Sequence, residues 1–316
     1  MEVRSEPLEF IYTYASHESE TELCRMELDA LLGQAKPLKG RGPMLLSSRE
    51  LDPGRSPYVS MRLDVLMKGA SAEDIALQAS ELELGDGTFK VTYVKSGDPC
   101  SYEDQRLLER LVGSRIRGKA EMKHPDVQLG LLSAEGQWML GLCRHPERAW
   151  RLHKDKPHNY STGLSVTTAR SLVNILVPEP PGIRAVDPCC GMGNVLIEAL
   201  SMGIDIRGWD INPLAIQGAR ANLKHFGYPE LVTLGDMTQV AERFDVAVLD
   251  MPYNLCSVLS TDQRLGMLQS LRRMAKRAVI VSTEEADESI LQAGFTILDS
   301  ARVWKGSFVR NVWLCG

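Results

Sequence analysis

Over residues 165–316 the chain repeats one pattern, in which an amphipathic stretch leads into a short, nearly all-apolar run. The runs are GIRAVD, DIRGWD, LVTLGD, DVAVLD and AVIVST, and the first four close on Asp187, Asp210, Asp236 and Asp250. A strand that is apolar on both faces can leave neither face in water, so helices must cover both sides of its sheet, and helical crossovers make that sheet parallel. In an open sheet of this kind the carboxyl ends of the strands form the ligand crevice. Four acids therefore arrive at one rim.

The segment AVDPCCGMGN puts Gly191 and Gly193 in the turn after Asp187, and Val195 to Leu200 continue as a helix. Glycines there let the backbone approach a ligand, and a helix start offers free N–H groups. A dinucleotide site fits poorly, because Leu196 takes the place of the third glycine and a carboxylate at Asp187 repels a pyrophosphate. The same carboxylate suits an ammonium or a sulfonium, the charges of S-adenosylmethionine. Asp210 falls about twenty residues on, where an acid accepts from both ribose hydroxyls, and Asp236 is placed to accept from an adenine amine. Taken singly each acid reads as a turn or helix cap. Four in succession at strand ends point to a site.

The last of these strands runs into Asp250, Met251, Pro252 and Tyr253. An exocyclic amine on a nucleobase is a weak nucleophile until two acceptors draw on its two N–H bonds. Asp250 supplies a carboxylate oxygen and Pro252, with its dihedral fixed, a carbonyl; Tyr253 offers a ring face to an extruded base. Asp250 can also receive the released proton. Cytosine C5 chemistry is excluded, since it needs a thiolate where Tyr253 stands. Cys189, Cys190 and Cys256 read as packing residues, and His153 and His158 have no thiol pair to share a zinc ion.

The front of the chain alternates period-two and amphipathic runs in the order βαββαβ, followed by a basic helix and two strands around AEG. The expected division is a domain at 1–95, a small unit at 96–147 that shares the strand 88–95, a linker and loop at 148–164, and a further domain at 165–316. Arg106, Arg110, Arg115, Arg117, Lys119 and Lys123 cluster in the second unit and read either as a solvated face or as a phosphate-tracking surface. A formal net charge of -5 does not decide between them. No apolar run reaches the ~20 residues of a membrane helix. The seven cysteines are scattered and the amino terminus lacks a secretory pattern, which fits a reduced cytoplasmic protein.

Through DPCCGMGN, WD at Asp210, GDM at Asp236 and DMPY, the carboxyl half resembles the class I S-adenosylmethionine-dependent amino-methyltransferases. Met251 departs from their usual second residue, a proline. KPHNYSTG and the RLLERLVGSRI and QWMLGL segments extend the resemblance to the THUMP-containing tRNA guanine-N2 methyltransferases. The resemblance implies a Rossmann-like, mostly parallel seven-stranded sheet closed by an antiparallel C-terminal hairpin, an α/β fold preceded by α+β units. It implies that residues 1–95 are a ferredoxin-like domain, 96–147 a THUMP-like unit, 148–164 a linker and cofactor-covering loop, and 165–316 the catalytic domain. It also implies cofactor contacts at Asn159, Ser161, Thr162, Gly163, Asp187, Cys189, Gly191, Gly193, Asn194, Asp210, Ile211, Asp236 and Met237, with catalysis at Asp250, Pro252 and Tyr253. The basic helix would face tRNA or another structured RNA, with no metal and no membrane. Transfer to adenine N6 or to a protein glutamine amide, or cofactor and RNA binding without turnover, remain open alternatives.

Overall fold

The computed structural model describes residues 7, 9–252, 259–305 and 308–316. The chain divides into two compact units, Met1–Ala15 with Leu32–Glu147, and Ser16–Leu31 with Arg148–Gly316.

The first unit contains β1 (Glu9–Tyr14), β2 (Lys36–Leu38), β3 (Met44–Ser47), β4 (Val59–Gly69), α2 (Ala72–Ala79), β5 (Glu83–Tyr93), α3 (Tyr102–Gly113), β6 (Arg117–Ala120), β7 (Val127–Ala134) and β8 (Gln137–Arg144). Its strands form one eight-stranded sheet in the order β2-β3-β1-β4-β8-β7-β5-β6. Helix starts follow local chemistry: Ser71 accepts from the Asp74 N–H at α2, and Ser101 from the Asp104 N–H at α3. Ile75, Ala76 and Ala79 of α2 and Val112 of α3 are buried with Leu129, Leu131, Leu140 and Leu142 of the sheet. The expected boundary at residues 95/96 falls inside this sheet. The β7–β8 hairpin adds to the edges that β4 and β5 leave open, with Asp64 opposite Leu142 and Val91 opposite Leu129. Backbone groups on those edges would otherwise need water, so the strands of the two expected front units form one layer.

Helix α1 (Thr21–Leu32) departs from the expected front domain and clusters with the second unit. Leu23 and Met26 are buried with Leu172 and Val173, and Asn174 donates to Glu27 Oε1 at 2.6 Å. Arg25 forms a two-pronged contact with Asp299, 3.0 and 2.9 Å.

The second unit continues with α4 (Val166–Leu176), β9 (Arg184–Asp187), α5 (Asn194–Ser201), β10 (Asp205–Asp210), α6 (Pro213–His225), β11 (Val232–Leu234), β12 (Val246–Asp250), α7 (Thr261–Met274), β13 (Arg277–Ser282), α8 (Asp287–Gln292), β14 (Ile297–Lys305) and β15 (Phe308–Cys315). Its seven strands run β11-β10-β9-β12-β13-β15-β14, parallel as far as β13 and antiparallel through the final hairpin. This is a Rossmann-like, doubly wound topology closed by an antiparallel hairpin. The two sides of the sheet are covered by separate apolar clusters, one holding Val248, Val279 and Leu196, the other Leu249, Ile280 and Leu268. Neighbours along β12 thus point to opposite clusters, as two-sided burial requires. Strand order reverses between β9 and β12, and at such a switch point the loops diverge and leave a crevice.

Candidate active site

A cavity of about 620 Å³ opens at that reversal, lined by the ends of β9, β10 and β12, the segment after β11, the loop before α4 and the start of α7. Asp187, Asp210, Asp236 and Asp250 all line it. Among its described lining residues there is no lysine or arginine. Carboxylates without cations repel phosphate and favour a positively charged ligand.

The turn between β9 and α5 owes its shape to Gly191 and Gly193, whose φ angles of 51° and 81° lie in the left-handed region that favours glycine. Asp210 braces this turn, because Oδ2 accepts from the Gly191 N–H at 2.8 Å while Oδ1 accepts from the Asn212 N–H at 2.8 Å. A carboxylate has further lone pairs, so the same group can still accept from ligand hydroxyls. Asp236 lies two residues beyond β11 and caps a short 3-10 turn through the Thr238 N–H, 2.8 Å away. The capping role and a place on the cavity wall coexist.

Asp187 is only 2% exposed and accepts one hydrogen bond, from the Cys189 N–H at 3.2 Å. Burial pushes its carboxyl well above the usual range, against that hydrogen bond, with the Asp250 and Asp210 charges adding to the rise. Burial likewise pushes Asp250 up to about 7, opposed by the charge of Arg310. Asp250 Oδ1 is buried and has no hydrogen-bond partner among the described residues, and neither has Asn194 Oδ1. Two orphaned acceptors on one wall are costly unless a ligand donor completes them.

The structure sorts the remaining expected residues. Thr162, Gly163, Cys189, Gly191, Asn194, Ile211 and Met237 line the cavity together with the four acids and Pro252. Asn159 does not, because its amide turns back to the Lys156 carbonyl at 3.1 Å. Ser161 also lies outside the lining, since the Gly163 N–H closes a turn on the Tyr160 carbonyl and brings those two residues to the wall. Gly193 is buried as the cap of α5, with Ala219 of α6 behind it. Tyr253 and Cys256 lie outside the described residues.

Met251 answers the departure from the amino-methyltransferase quartet. Its side chain is 2% exposed and its N–H donates to the Val281 carbonyl at 2.9 Å, a bond that proline could not make. Cys189 packs against Met237, sulfur to sulfur at 3.7 Å, and burial raises the thiols of Cys189 and Cys190 well above their usual range. Neither is poised as a nucleophile. His153 pairs with buried Glu198 at 2.6 Å, and no cluster able to hold a metal occurs among the described residues.

Several contributors had only faint signals in the sequence. Asn222 lies on the apolar face of α6 between Ala219 and Leu223; its Oδ1 accepts from the His158 N–H at 2.9 Å and its amide donates to the His158 and Met192 carbonyls at 2.8 and 2.9 Å. It pins the loop before α4 to the glycine turn. Gln263, Gly266 and Met267 of α7 form the wall beside Pro252 and Leu259. Arg310, with Asn311 beside it, interrupts the apolar run of β15.

Residues 153–287 match the family described as RMKL-like, methyltransferase domain. Over 198 residues the chain is 28% identical to a protein of Methanothermobacter thermautotrophicus named tRNA (guanine(10)-N2)-dimethyltransferase, covering 59% of this chain and 58% of that one. A Mus musculus protein named U6 snRNA (guanine-N(2))-methyltransferase THUMPD2 is 22% identical over 244 residues, 67% of this chain and 44% of the other. The solved structure of TrmN from Thermus thermophilus aligns over 97% of this chain and 99% of its own with 18% identity and a TM-score of 0.49. The chain spans less than two thirds of the length of the curated relatives it matches.

Proposed function

We propose that the chain transfers a methyl group from S-adenosylmethionine to the exocyclic N2 amine of a guanosine in RNA, with tRNA as the first candidate and the cytoplasm as the place of action. The observation that carries this reading is Asp250 Oδ1, a buried acceptor without a partner among the described residues, on the wall of a cavity that gathers four acids.

The lining fits the cofactor on chemical grounds: Asp210 for ribose hydroxyls, Asp236 for the adenine amine, and Asp187 with the orphaned Asn194 Oδ1 for the ammonium. When bound, S-adenosylmethionine supplies a methyl group activated by a sulfonium centre. The protein's part is to prepare the acceptor. Asp250 Oδ1 accepts one N–H of the amine and the Pro252 carbonyl the other, which restores the nitrogen lone pair for attack. Met251 serves as the anchor, since its buried side chain and its bond to Val281 hold the backbone between these two acceptors. With its carboxyl near 7, Asp250 is partly ionised at neutral pH and can take the proton that the methylated amine releases. Tyr253 provides the stacking face for the base.

A second surface supports RNA as the substrate. Arg106 and Arg110 on α3, Arg115 after it, Arg117 and Lys119 on the edge strand β6, and Lys123 are all exposed. None of the six forms an ion pair with an acid among the described residues. Exposed cations without an ion-pair partner can track a phosphate backbone.

The test is incubation of unmodified tRNA with methyl-labelled cofactor, followed by digestion to nucleosides. Label in N2-methylguanosine is expected. Label that enters only adenosine, DNA or protein would overturn the choice of acceptor, and binding of cofactor without transfer to any of them would overturn catalysis.

A further inference from the structure

Arg310 is a charged residue on a strand that otherwise serves the core. It is 6% exposed, and its Nη2 donates to the Thr162 carbonyl at 2.6 Å. Thr162 belongs to the loop that forms one wall of the cavity. The sheet register fixes what else Arg310 can face. Asp250 is opposite Val281, and Val281 is opposite Val312. Residues in register across a sheet share a face, and residues two apart on a strand do so as well. Arg310, two residues before Val312, therefore projects from the same face as Asp250, and a long side chain leaning along the sheet reaches toward it.

We propose that Arg310 is the positioning residue that couples the covering loop to the reacting acid: its guanidinium holds the Thr162 carbonyl and at the same time presents a buried positive charge to Asp250. The inference rests on the reading of Asp250 as the group that engages the substrate amine. Arginine suits the task because its planar fork offers several N–H groups in fixed directions and keeps its charge when buried.

The surroundings of Asp250 leave the role to this residue. From β9 comes Asp187, an acid whose carboxyl burial raises, and from the glycine turn the raised thiol of Cys189. From β10, Asp210 is committed to the Gly191 and Asn212 N–H groups. On α7, Arg264 is engaged by Glu284 and by the Glu285 carbonyl at 3.2 and 2.9 Å. The β13 positions beside Asp250, Val281 and Ser282, carry no charge. Among the described residues Arg310 is the cation whose charge acts on the Asp250 carboxyl, in the direction that favours the ionised form. A bond to the loop and a charge facing the acid make closure over the cofactor and readiness of the acid depend on one side chain.

The test uses the full chain without RNA, so it reads out even if no RNA is methylated. The Asp250 carboxyl is followed by carbon NMR in protein labelled at aspartate, assigned by its loss in Asp250→Asn, and cofactor affinity is measured by calorimetry. In Arg310→Met the titration of Asp250 should move up by roughly one to three pH units, the effect of removing a nearby opposite charge. Cofactor affinity should fall by about tenfold or more through loss of a charged hydrogen bond on the loop. Arg310→Lys keeps the charge but not the fork, so it should leave the titration near its original position while cofactor affinity still falls. An unchanged Asp250 titration in Arg310→Met would overturn the proposal, as would cofactor affinity equal to the parent's in both variants. If Arg310→Met fails to fold by circular dichroism, the lysine variant decides alone: weaker cofactor binding with an unshifted acid supports the coupling, and unaltered affinity refutes it.

Discussion

The Asp250→Asn substitution isolates the energetic consequence of burying an acid at the cavity wall. In the folded chain the carboxyl titrates near 7, against an ordinary value of 3.8. The folded state therefore holds this proton more tightly than the unfolded state. The favourable contribution is fully present below about 3.8 and is lost as pH rises through about 7. Each pH unit between the two values costs the folded chain about 1.4 kcal/mol, for a total of about 4 kcal/mol at alkaline pH. Asparagine has nearly the same shape and does not ionise. The stability of the variant minus that of the parent should consequently grow by about 2.5 kcal/mol between pH ~5 and pH ~8, with most of the rise below neutrality. Urea unfolding at a series of pH values measures this, because contributions from other groups are largely shared by the two proteins and drop out of the difference. Parallel stability curves would show that water or a local rearrangement already solvates the carboxylate, and the argument from its orphaned oxygen would fall with them.

Asp210→Ala should weaken cofactor binding by at least tenfold and also lower stability by about 1–3 kcal/mol, because the Gly191 and Asn212 N–H groups lose their acceptor; calorimetry and thermal unfolding read the two effects separately, and unchanged affinity would remove Asp210 from the site. Cofactor binding should release protons, since a positive ligand lowers the Asp187 carboxyl that burial raises. The observed heat should then vary with the ionisation enthalpy of the buffer and the affinity should rise with pH, whereas identical heats in all buffers would contradict the assignment. Replacing Arg106, Arg110 and Lys119 together by alanine should weaken RNA binding and flatten its salt dependence by roughly 0.7–0.9 per lost phosphate contact, with cofactor affinity unaltered. An unchanged salt slope would return these residues to an ordinary solvated face.

How much of this was legible in the sequence depended on whether the determinant was local. Runs apolar on both sides, each closed by an acid, announced the parallel sheet and the rim, because strand burial and chain direction together fix where Asp187, Asp210 and Asp250 end. The turn glycines and the Asn212-Pro213 helix start were equally readable, being matters of dihedral preference and capping within a few residues. What escaped were choices of partner. The pattern of α1 declared a face to be buried but not the surface that would bury it, and Leu23 and Met26 found theirs beside Leu172. The β7–β8 hairpin could have closed on itself; pairing with β4 and β5 satisfied edges that no periodicity reveals. Asn222 and Arg310 were visible as polar intrusions on apolar elements, yet their purpose emerged only once the fold brought His158, Met192 and Thr162 beside them.

The allegiance of α1 also sets an order of events during synthesis. A ribosome delivers this helix more than a hundred residues before Arg148, where the rest of its unit resumes. Until then its greasy side has no permanent seat and must be shielded by transient company. A fragment trimmed to begin at residue 148 would retain every acid of the rim and still emerge with a bare strip beside Leu172 and Asn174, prone to stick to its neighbours. The segment that matches the methyltransferase family is thus shorter than the piece of chain that can fold as one body.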